Sequence, residues 1–207
     1  MSVDGFVFVD LETTGTVASE HEILEIGFAL YSADLEPLER LVLLPITTAT
    51  SAVIERMRTD PTFAFVGRMH THNGLLAELE AAIDASDALP ADLSGYQDVI
   101  VDTLLRWGVD GSTPLSGCSH RMDREFLARW LPKVDTMFSY RMIDARSFCE
   151  AGLILDAERT TDRLKLVDEY GQSNHRVAED MHYAANLLRV FHDRAPIPSV
   201  EEHAVLS

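Results

Sequence analysis

Three short segments near the N-terminus are rich in Val, Ile, Leu and Phe and are separated by short polar connections. They cover residues 6–10, 23–31 and 39–45. Such spacing predicts three consecutive strands joined as a meander. The chain is therefore expected to build its sheet first and to add helices afterwards.

The remainder of the chain indicates helices interspersed with short strands. Apolar residues at helical spacing predict helices over 75–83, 97–107, 124–131 and 145–153, with short strands at 114–118 and 140–143. A single apolar stripe, formed by Val177, Met181, Ala184, Leu188 and Phe191, predicts a last helix from about 176 to 192. At 207 residues, the chain is expected to form one domain over 1–193, followed by a loosely held tail over 194–207.

Composition excludes some classes of protein. The net charge of −17 argues against a protein that coats long nucleic acids, but leaves room for a short substrate or one bound through metal ions. No apolar run approaches the ~18 residues needed to span a bilayer, and the first strand resembles no signal peptide. We therefore expect a cytoplasmic protein, whose Cys118 and Cys149 are small core residues rather than a disulfide.

Asp10 and Glu12 lie where the first strand ends and a Thr-Thr-Gly turn leads the chain away. Alternate side chains of a strand project to the same face, so both carboxylates point the same way. Two carboxylates on one face form a site for a hard cation such as Mg²⁺. Two solvated acids at a strand end are the simple alternative, so this pair needs further ligands to be decisive.

Two later acids and a histidine supply the further groups. Asp123 lies at the start of a predicted helix, where the helix dipole alone also favours an acid. If the last helix begins near Arg176, Asp180 lies one turn inside it and His175 lies on the preceding loop. Both side chains can then face one cavity, where the histidine is available as a base.

These residues fall within motifs that resemble the DEDDh exonucleases. The motifs are the D-x-E-T-x-G opening at 10–15, the acid within 119–127 and the His-x4-Asp of the last helix. Within that superfamily, the segments 114–119, 140–144 and 70–75 resemble the oligoribonuclease family. The resemblance, which runs from about residue 6 to 192, implies an α/β, RNase H-like fold in which helices flank a mixed sheet containing an antiparallel three-strand meander.

The chemistry that this resemblance implies also suits the residue types. Asp10, Glu12, Asp123 and Asp180 would hold two divalent ions, Mg²⁺ or Mn²⁺, because their ligand atoms are all oxygen. His175 would accept the proton of the attacking water. The expected activity is 3′-to-5′ exonuclease cleavage.

The resemblance also implies a short substrate and a homodimer. Short RNA, above all dinucleotides, would be hydrolysed to nucleoside 5′-monophosphates. The residues implied to contact substrate are Thr13, Phe65, His70, Ser119, Arg141 and Tyr140. Ser119 and Arg141 occupy positions that contact the 5′ phosphate, and Tyr140 would reach the partner's active site. A surface cation and a core tyrosine are the simple alternatives for Arg141 and Tyr140.

Several positions depart from the family pattern. Thr16 replaces a bulky apolar residue that wedges between the bases, and Phe65 replaces a stacking tryptophan. Arg146 replaces a small hydroxyl residue, and the segment 85–95 is longer than usual. These changes weaken the expectation of dinucleotide specificity and leave the catalytic residues intact.

Two other functions compete with this interpretation. A DEDDh exonuclease that proofreads or trims longer DNA or RNA ends would use the same five catalytic residues, but would have no use for a terminal phosphate cap. A nucleic-acid-binding protein that has lost activity would be more basic and would not need all five. The sequence leaves the choice between RNA and DNA open, because recognition of the 2′-OH depends on a few backbone contacts.

Overall fold

A mixed β-sheet forms the centre of the computed structural model, which describes residues 3–198. Within this range the strands are β1 (Gly5–Thr13), β2 (Ile23–Ser32), β3 (Pro37–Leu43), β4 (Leu115–Gly117) and β5 (Met142–Asp144). Their order across the sheet is β3-β2-β1-β4-β5. The first three form an antiparallel meander, and β4 and β5 extend the sheet in parallel beside β1.

Helices cover both faces of this sheet. In chain order they are α1 (Thr50–Thr59), α2 (Ala64–His72), α3 (Leu75–Asp84), α4 (Ser94–Arg106), α5 (Arg121–Trp130), α6 (Pro132–Asp135), α7 (Ala145–Leu155), α8 (Ala157–Asp168) and α9 (Val177–Phe191). A 3₁₀ turn at Pro61–Phe63 precedes α2. Val7, Val9 and Leu11 of β1 pack towards α4 and α5, whereas Phe8 packs towards α7 and α9. This alternation follows from the two-residue period of a strand.

The structure confirms the predicted meander and the predicted fold class. Each predicted helix is present within a few residues of its expected bounds, and the stripe of the last helix packs against β1 and β2. The strand predicted at 140–143 begins only at Met142, so Tyr140 and Arg141 precede it. The sequence reasoning missed α1, α2, α6 and α8, which lie in segments to which it assigned no element.

Gly27 of β2 allows α9 to approach the sheet closely. A Cβ atom at this position would lie 2.6 Å from Cβ of Val177 and 2.7 Å from Cε of Met181. Gly27 is also the residue opposite Asp10 in the β1–β2 pair. The absence of a side chain here therefore brings the start of α9 beside the end of β1.

Residues 194–198 are held against the body of the protein. Arg189 Nε donates to the Ala195 carbonyl at 2.7 Å, and the Ile197 amide donates to Asn186 Oδ1 at 2.9 Å. These contacts attach the first residues after α9 to the body of the protein. The division into a domain over 1–193 and a tail over 194–207 remains a prediction, and 199–207 lie outside the described part.

Both cysteines are free thiols, Cys149 fully buried and Cys118 partly buried. The sequence interpretation as reduced, mostly internal residues agrees with this placement. Among the helices of residues 3–198, none has both the length and the apolar character needed to cross a bilayer.

Candidate active site

Asp10 and Glu12 lie near the end of β1 on the face covered by α9. They alternate with the buried Val9 and Leu11, which face the opposite side. Glu12 is 6% exposed and pairs across the sheet with Glu25 of β2. The shared face predicted for Asp10 and Glu12 is thus present, and it is not the solvated strand end of the simple alternative.

A main-chain hydrogen bond from β1 fixes Asp123. This residue lies in the first turn of α5, and the Leu11 amide donates to its Oδ1 at 2.8 Å. Asp123 is only 5% exposed. The contact joins two residues that are 112 positions apart and places the third carboxylate next to the first two.

Asp180 of α9 and His175 of the preceding loop lie close to Glu12. The helix begins at Val177, so Asp180 lies in its first turn and His175 precedes it, as predicted. Ligand atoms of Glu12, His175 and Asp180 all lie within 4.8 Å of one another. The structure therefore gathers the five predicted catalytic residues around one point, while their roles remain proposals.

Crowding of carboxylates raises their pKa values. Burial, followed by repulsion from Asp123, Asp180 and Glu12, holds the pKa of Asp10 well above its usual range. Burial and repulsion from Asp180 raise the pKa of Glu12 to about 8. Burial also raises the pKa of Asp123 to about 7, although the Leu11 amide opposes the shift. These acids therefore resist ionisation unless a positive charge joins them.

The nearby Arg176 opposes the rise in the pKa of Glu12, but burial and the neighbouring carboxylates outweigh it. Its guanidinium binds the buried Glu25 through contacts of 2.9 and 3.1 Å, and binds Glu78 of α3 through contacts of 2.6 and 2.9 Å. Glu25 is 1% exposed, so this pairing compensates a buried charge. Local sequence spacing gives no sign of this pairing, because the two residues lie 151 positions apart.

The donor set suits a divalent cation. Crowded carboxylates supply the oxygen ligands and the negative charge that Mg²⁺ and Mn²⁺ prefer. His175 adds a nitrogen atom at the edge of the cluster. The residues therefore fit the metal site that the sequence predicts, and the number and identity of the ions belong to the proposal below.

Without divalent ions, the stability of the protein should depend on pH. The folded-state pKa values of Glu12 and Asp123, about 8 and about 7, exceed those of exposed carboxyls. The native state therefore binds more protons than the unfolded state, and stability decreases as pH rises. Between pH 5 and 8 we expect the free energy of unfolding to fall by on the order of 2 kcal/mol.

Urea unfolding in EDTA at several pH values measures this effect, with the same series in Mg²⁺ beside it. Glu12→Gln serves as the matched variant, since it removes one of the titrating groups and should flatten the curve. A stability that stays level or increases over this pH range in EDTA would contradict the expected repulsion.

His70 contacts Glu12 rather than solvent. Its side chain is fully buried, with Nε2 3.6 Å from Glu12 Oε2 and 3.3 Å from the Thr13 carbonyl oxygen. Burial lowers the pKa of His70 to about 4, so the ring is neutral. The implied direct contact with substrate finds no exposed atom in this conformation and remains a prediction.

The residues implied to bind the 5′ phosphate lie on exposed backbone near β4 and β5. Ser119 has a φ of +57° and donates its amide to Asp144 Oδ1 at 2.9 Å. The same carboxylate caps α7 through the Arg146 amide. The Arg141 guanidinium lies 5.4 Å from the centre of the Tyr140 ring, and Tyr140 is 83% exposed, which excludes the core-tyrosine alternative.

The remaining implied substrate contacts differ in their exposure. Phe65 on α2 is 75% exposed and free to stack on a base. Thr13 is buried, and its hydroxyl donates to the Gly15 carbonyl at 2.7 Å, so it shapes the turn after β1. Thr16 is exposed just beyond that turn. Arg146 forms an ion pair with Glu150 along α7 at 2.9 Å.

Residues 85–93 of the long segment 85–95 connect α3 to α4, and its last two residues form the start of α4. The Thr48 amide donates to the Pro90 carbonyl at 2.9 Å, and Leu93 packs against the main core. Asp92 accepts a hydrogen bond from the Ser94 amide at 2.9 Å. These contacts attach the segment to the body of the protein, on the side where α1 begins.

Comparison with solved structures defines the class of protein. The chain is similar to Escherichia coli exonuclease I, whose structure is a zinc-bound complex with single-stranded DNA. The TM-score is 0.57, and the sequences are 15% identical over 93% of this chain. The chain is also similar to exonuclease I of Methylocaldum szegediense, with a TM-score of 0.52. The chain spans 42% and 40% of those longer proteins. The fold is therefore the RNase H-like exonuclease fold.

Sequence comparison defines the family more closely. The chain is 29% identical over 199 residues to the oligoribonuclease of Mycobacterium leprae, and the match covers 94% of this chain and 83% of that protein. It is 28% identical to the oligoribonuclease of Streptomyces avermitilis, and the match covers 94% of this chain and 88% of that protein. It is 31% identical over 150 residues to the oligoribonuclease of Leifsonia xyli, and this match covers 72% of this chain and 66% of that protein. A scan against models of protein families gives no match. On the strength of these relatives, the chain belongs to the oligoribonuclease family.

Proposed function

We propose that this protein is a divalent-metal-dependent 3′-to-5′ exoribonuclease that hydrolyses short RNA, especially dinucleotides, to nucleoside 5′-monophosphates. The observation that carries the proposal is the convergence of Glu12, His175 and Asp180 within 4.8 Å, beside the partly buried Asp10 and the buried Asp123. The oligoribonuclease relatives, which match over most of the chain, support the choice of a short RNA substrate.

Each catalytic side chain has a distinct part in this proposal. Asp10, Glu12, Asp123 and Asp180 would hold two ions, Mg²⁺ or Mn²⁺, which supply an activated water and stabilise charge on the phosphate oxygens and the leaving 3′ oxygen. His175 accepts the proton of the attacking water, because its exposed loop position lets the imidazole face both solvent and the carboxylates. The buried positions of Glu12 and Asp123 keep the ligand geometry fixed.

A phosphate cap would limit the substrate to short RNA. Arg141 is exposed and offers a planar guanidinium that matches phosphate geometry. Ser119 is exposed on a tight turn that Asp144 stabilises. A substrate with only two nucleotides can place its 5′ phosphate against these residues while its scissile phosphate lies at the carboxylates. The exposed Phe65 is available for stacking on a base.

We further propose a cytoplasmic homodimer. Tyr140 projects from the surface, as expected of a side chain that reaches a partner, and Ile154 and Leu155 at the end of α7 are each 85% exposed. The two free thiols, Cys118 and Cys149, suit a reducing compartment. Mass measurement in solution at micromolar concentration tests the assembly directly.

Cleavage of labelled RNA and DNA of two to twenty nucleotides tests the substrate. We expect the RNA dinucleotide to be cleaved at least about 10-fold faster than the 20-mer, because only the shorter strand satisfies the cap. Arg141→Ala should lower kcat/KM for the dinucleotide ~10-fold or more through a higher KM, and should leave the 20-mer unaffected.

Arg58→Ala is the matched control, since Arg58 pairs with Glu80 on the surface between α1 and α3. This variant should behave as the wild type on every length. If the 20-mer is trimmed as fast as the dinucleotide, the cap is wrong and the alternative of a trimming exonuclease for longer ends takes its place. A preference for DNA would contradict the proposed RNA substrate.

A further inference from the structure

The backbone of His175 adopts a conformation that its residue type disfavours. Its φ angle is +59°, in the left-handed region, where a residue with a side chain is less stable by ~1 kcal/mol or more. The residue lies in the exposed segment 171–175, between α8 and α9. An exposed loop does not maintain such a conformation by packing, so specific contacts must select it.

One such contact comes from Asn73, which lies between α2 and α3. Its Nδ2 donates to the His175 carbonyl at 2.5 Å and approaches the Asn174 carbonyl at 3.4 Å. Its Oδ1 accepts the Leu75 amide at 3.1 Å, which stabilises the start of α3. Thus one side chain joins the helix start to a loop 102 residues away.

The loop has a second attachment, on its other side. Ser173 Oγ donates to Asp180 Oδ2 at 2.9 Å, and the Asn174 amide donates to Asp180 Oδ1 at 3.1 Å. Asp180 is also a proposed metal ligand, so its oxygens have a competing use. The amide of Asn73 has no such competing use, and its contact with the loop is compatible with any state of the carboxylate cluster.

We propose that Asn73 is a positioning residue for His175. Its amide selects the left-handed backbone at His175, and this backbone directs the imidazole towards Glu12 and Asp180. The inference rests on the proposed function, in which His175 accepts the proton of water. Without the contact, the loop samples conformations in which the imidazole faces away, and the fraction of productive enzyme decreases.

Asn73→Asp separates the two hydrogen-bonding roles of this side chain. The aspartate keeps an oxygen for the Leu75 amide, so α3 remains capped, but it has no N–H for the His175 carbonyl. We expect kcat on the RNA dinucleotide to fall ~10-fold or more, with KM changed little, since only the productive fraction decreases. Asn73→Ala removes both contacts and should show at least the same loss.

Three further measurements distinguish positioning from a general structural role. Hydrogen exchange in metal-free protein should be faster at residues 173–176 in Asn73→Asp, with the other described segments unchanged. Calorimetric Mn²⁺ affinity should remain within a few-fold of the wild type, which excludes an effect of the added charge on the metal ligands. In a His175→Ala background, Asn73→Asp should cause no further loss of activity.

The possible results distinguish the positioning role of Asn73 from the proposed function. Normal kcat and normal exchange in Asn73→Asp, with an active wild type, would overturn the positioning role alone. An additive loss in the His175→Ala background would also overturn it, because Asn73 would then act independently of the histidine. A wild type that cleaves no RNA in Mg²⁺ or Mn²⁺, while exchange at 173–176 still increases in the variant, would contradict the proposed function and leave the structural contact established.

Discussion

Asparagine in place of Asp10 will lower kcat/KM for short RNA by at least ~1000-fold, because it removes one negatively charged ligand from the metal cluster. The same change removes a carboxyl group whose pKa is raised by burial and by repulsion from its neighbours. The metal-free variant should therefore unfold at an equal or higher temperature than the wild type. Steady-state kinetics in Mn²⁺, together with thermal unfolding in EDTA, measures both effects.

Asp4→Asn provides the matched control, since Asp4 is an exposed acid just before β1. It should change neither activity nor the unfolding temperature. An Asp10→Asn variant that keeps its kcat/KM within 10-fold of the wild type would remove Asp10 from the site. A variant that loses both activity and stability would show that Asp10 acts through the fold instead.

Replacement of His175 by alanine is expected to lower kcat ~100- to 10,000-fold, the usual contribution of a general base. KM should change little, because the histidine acts on water rather than on the bound RNA. The ligand atom of His175 lies within 4.8 Å of those of Glu12 and Asp180, so a role as metal ligand predicts a different result. Calorimetric Mn²⁺ affinity separates the two roles.

For a base, the Mn²⁺ affinity of His175→Ala remains within a few-fold of the wild type. For a ligand, the affinity falls together with kcat. His72→Ala is the control, since His72 is an exposed histidine on α2 and should leave both quantities unchanged. Unchanged kcat in the His175 variant would exclude both roles.

The sequence predicts those parts of the fold that depend on local periodicity. The runs of apolar residues that become β1, β2 and β3 are long, and the stripe of α9 recurs at regular steps. In α8, by contrast, only Thr160 and Val167 are buried, so little apolar stripe marks it. In α1, by comparison, Val53, Ile54 and Met57 follow helical spacing, so this segment does contain a sequence signal for a helix.

The candidate active site likewise has parts that local sequence spacing predicts and parts that it does not. Asp10 and Glu12 share a face because strands alternate, and Asp180 follows His175 at a spacing that a helix start makes useful. The contact of Asn73 with His175 and that of Arg176 with Glu25 join residues more than 100 positions apart. Local spacing contains no signal for such pairs, which depend on how α2, β2 and α9 pack together.

Sequence spacing also does not predict which of these side chains are buried. His70 belongs to a motif that implies contact with substrate, yet the fold places it inside the protein against Glu12. Tyr140 shows the opposite case, in which an aromatic residue that could belong to a core is almost fully exposed. The packing of neighbouring elements decides both outcomes, and the residue type alone decides neither.

Hydrolysis of a 5′-phosphorylated RNA dinucleotide in ¹⁸O-labelled water follows the oxygen atom that enters at the scissile phosphorus. In Mn²⁺ or Mg²⁺ we expect the wild type to release two nucleoside 5′-monophosphates, of which the one from the 3′ nucleotide carries one ¹⁸O atom, since water attacks the scissile phosphorus and displaces the 3′ oxygen of the 5′ nucleotide. EDTA and Asp10→Asn should each abolish this product. Absence of cleavage with either ion, a monophosphate from the 3′ nucleotide without ¹⁸O, or equal release by Asp10→Asn would contradict metal-dependent hydrolysis at this site.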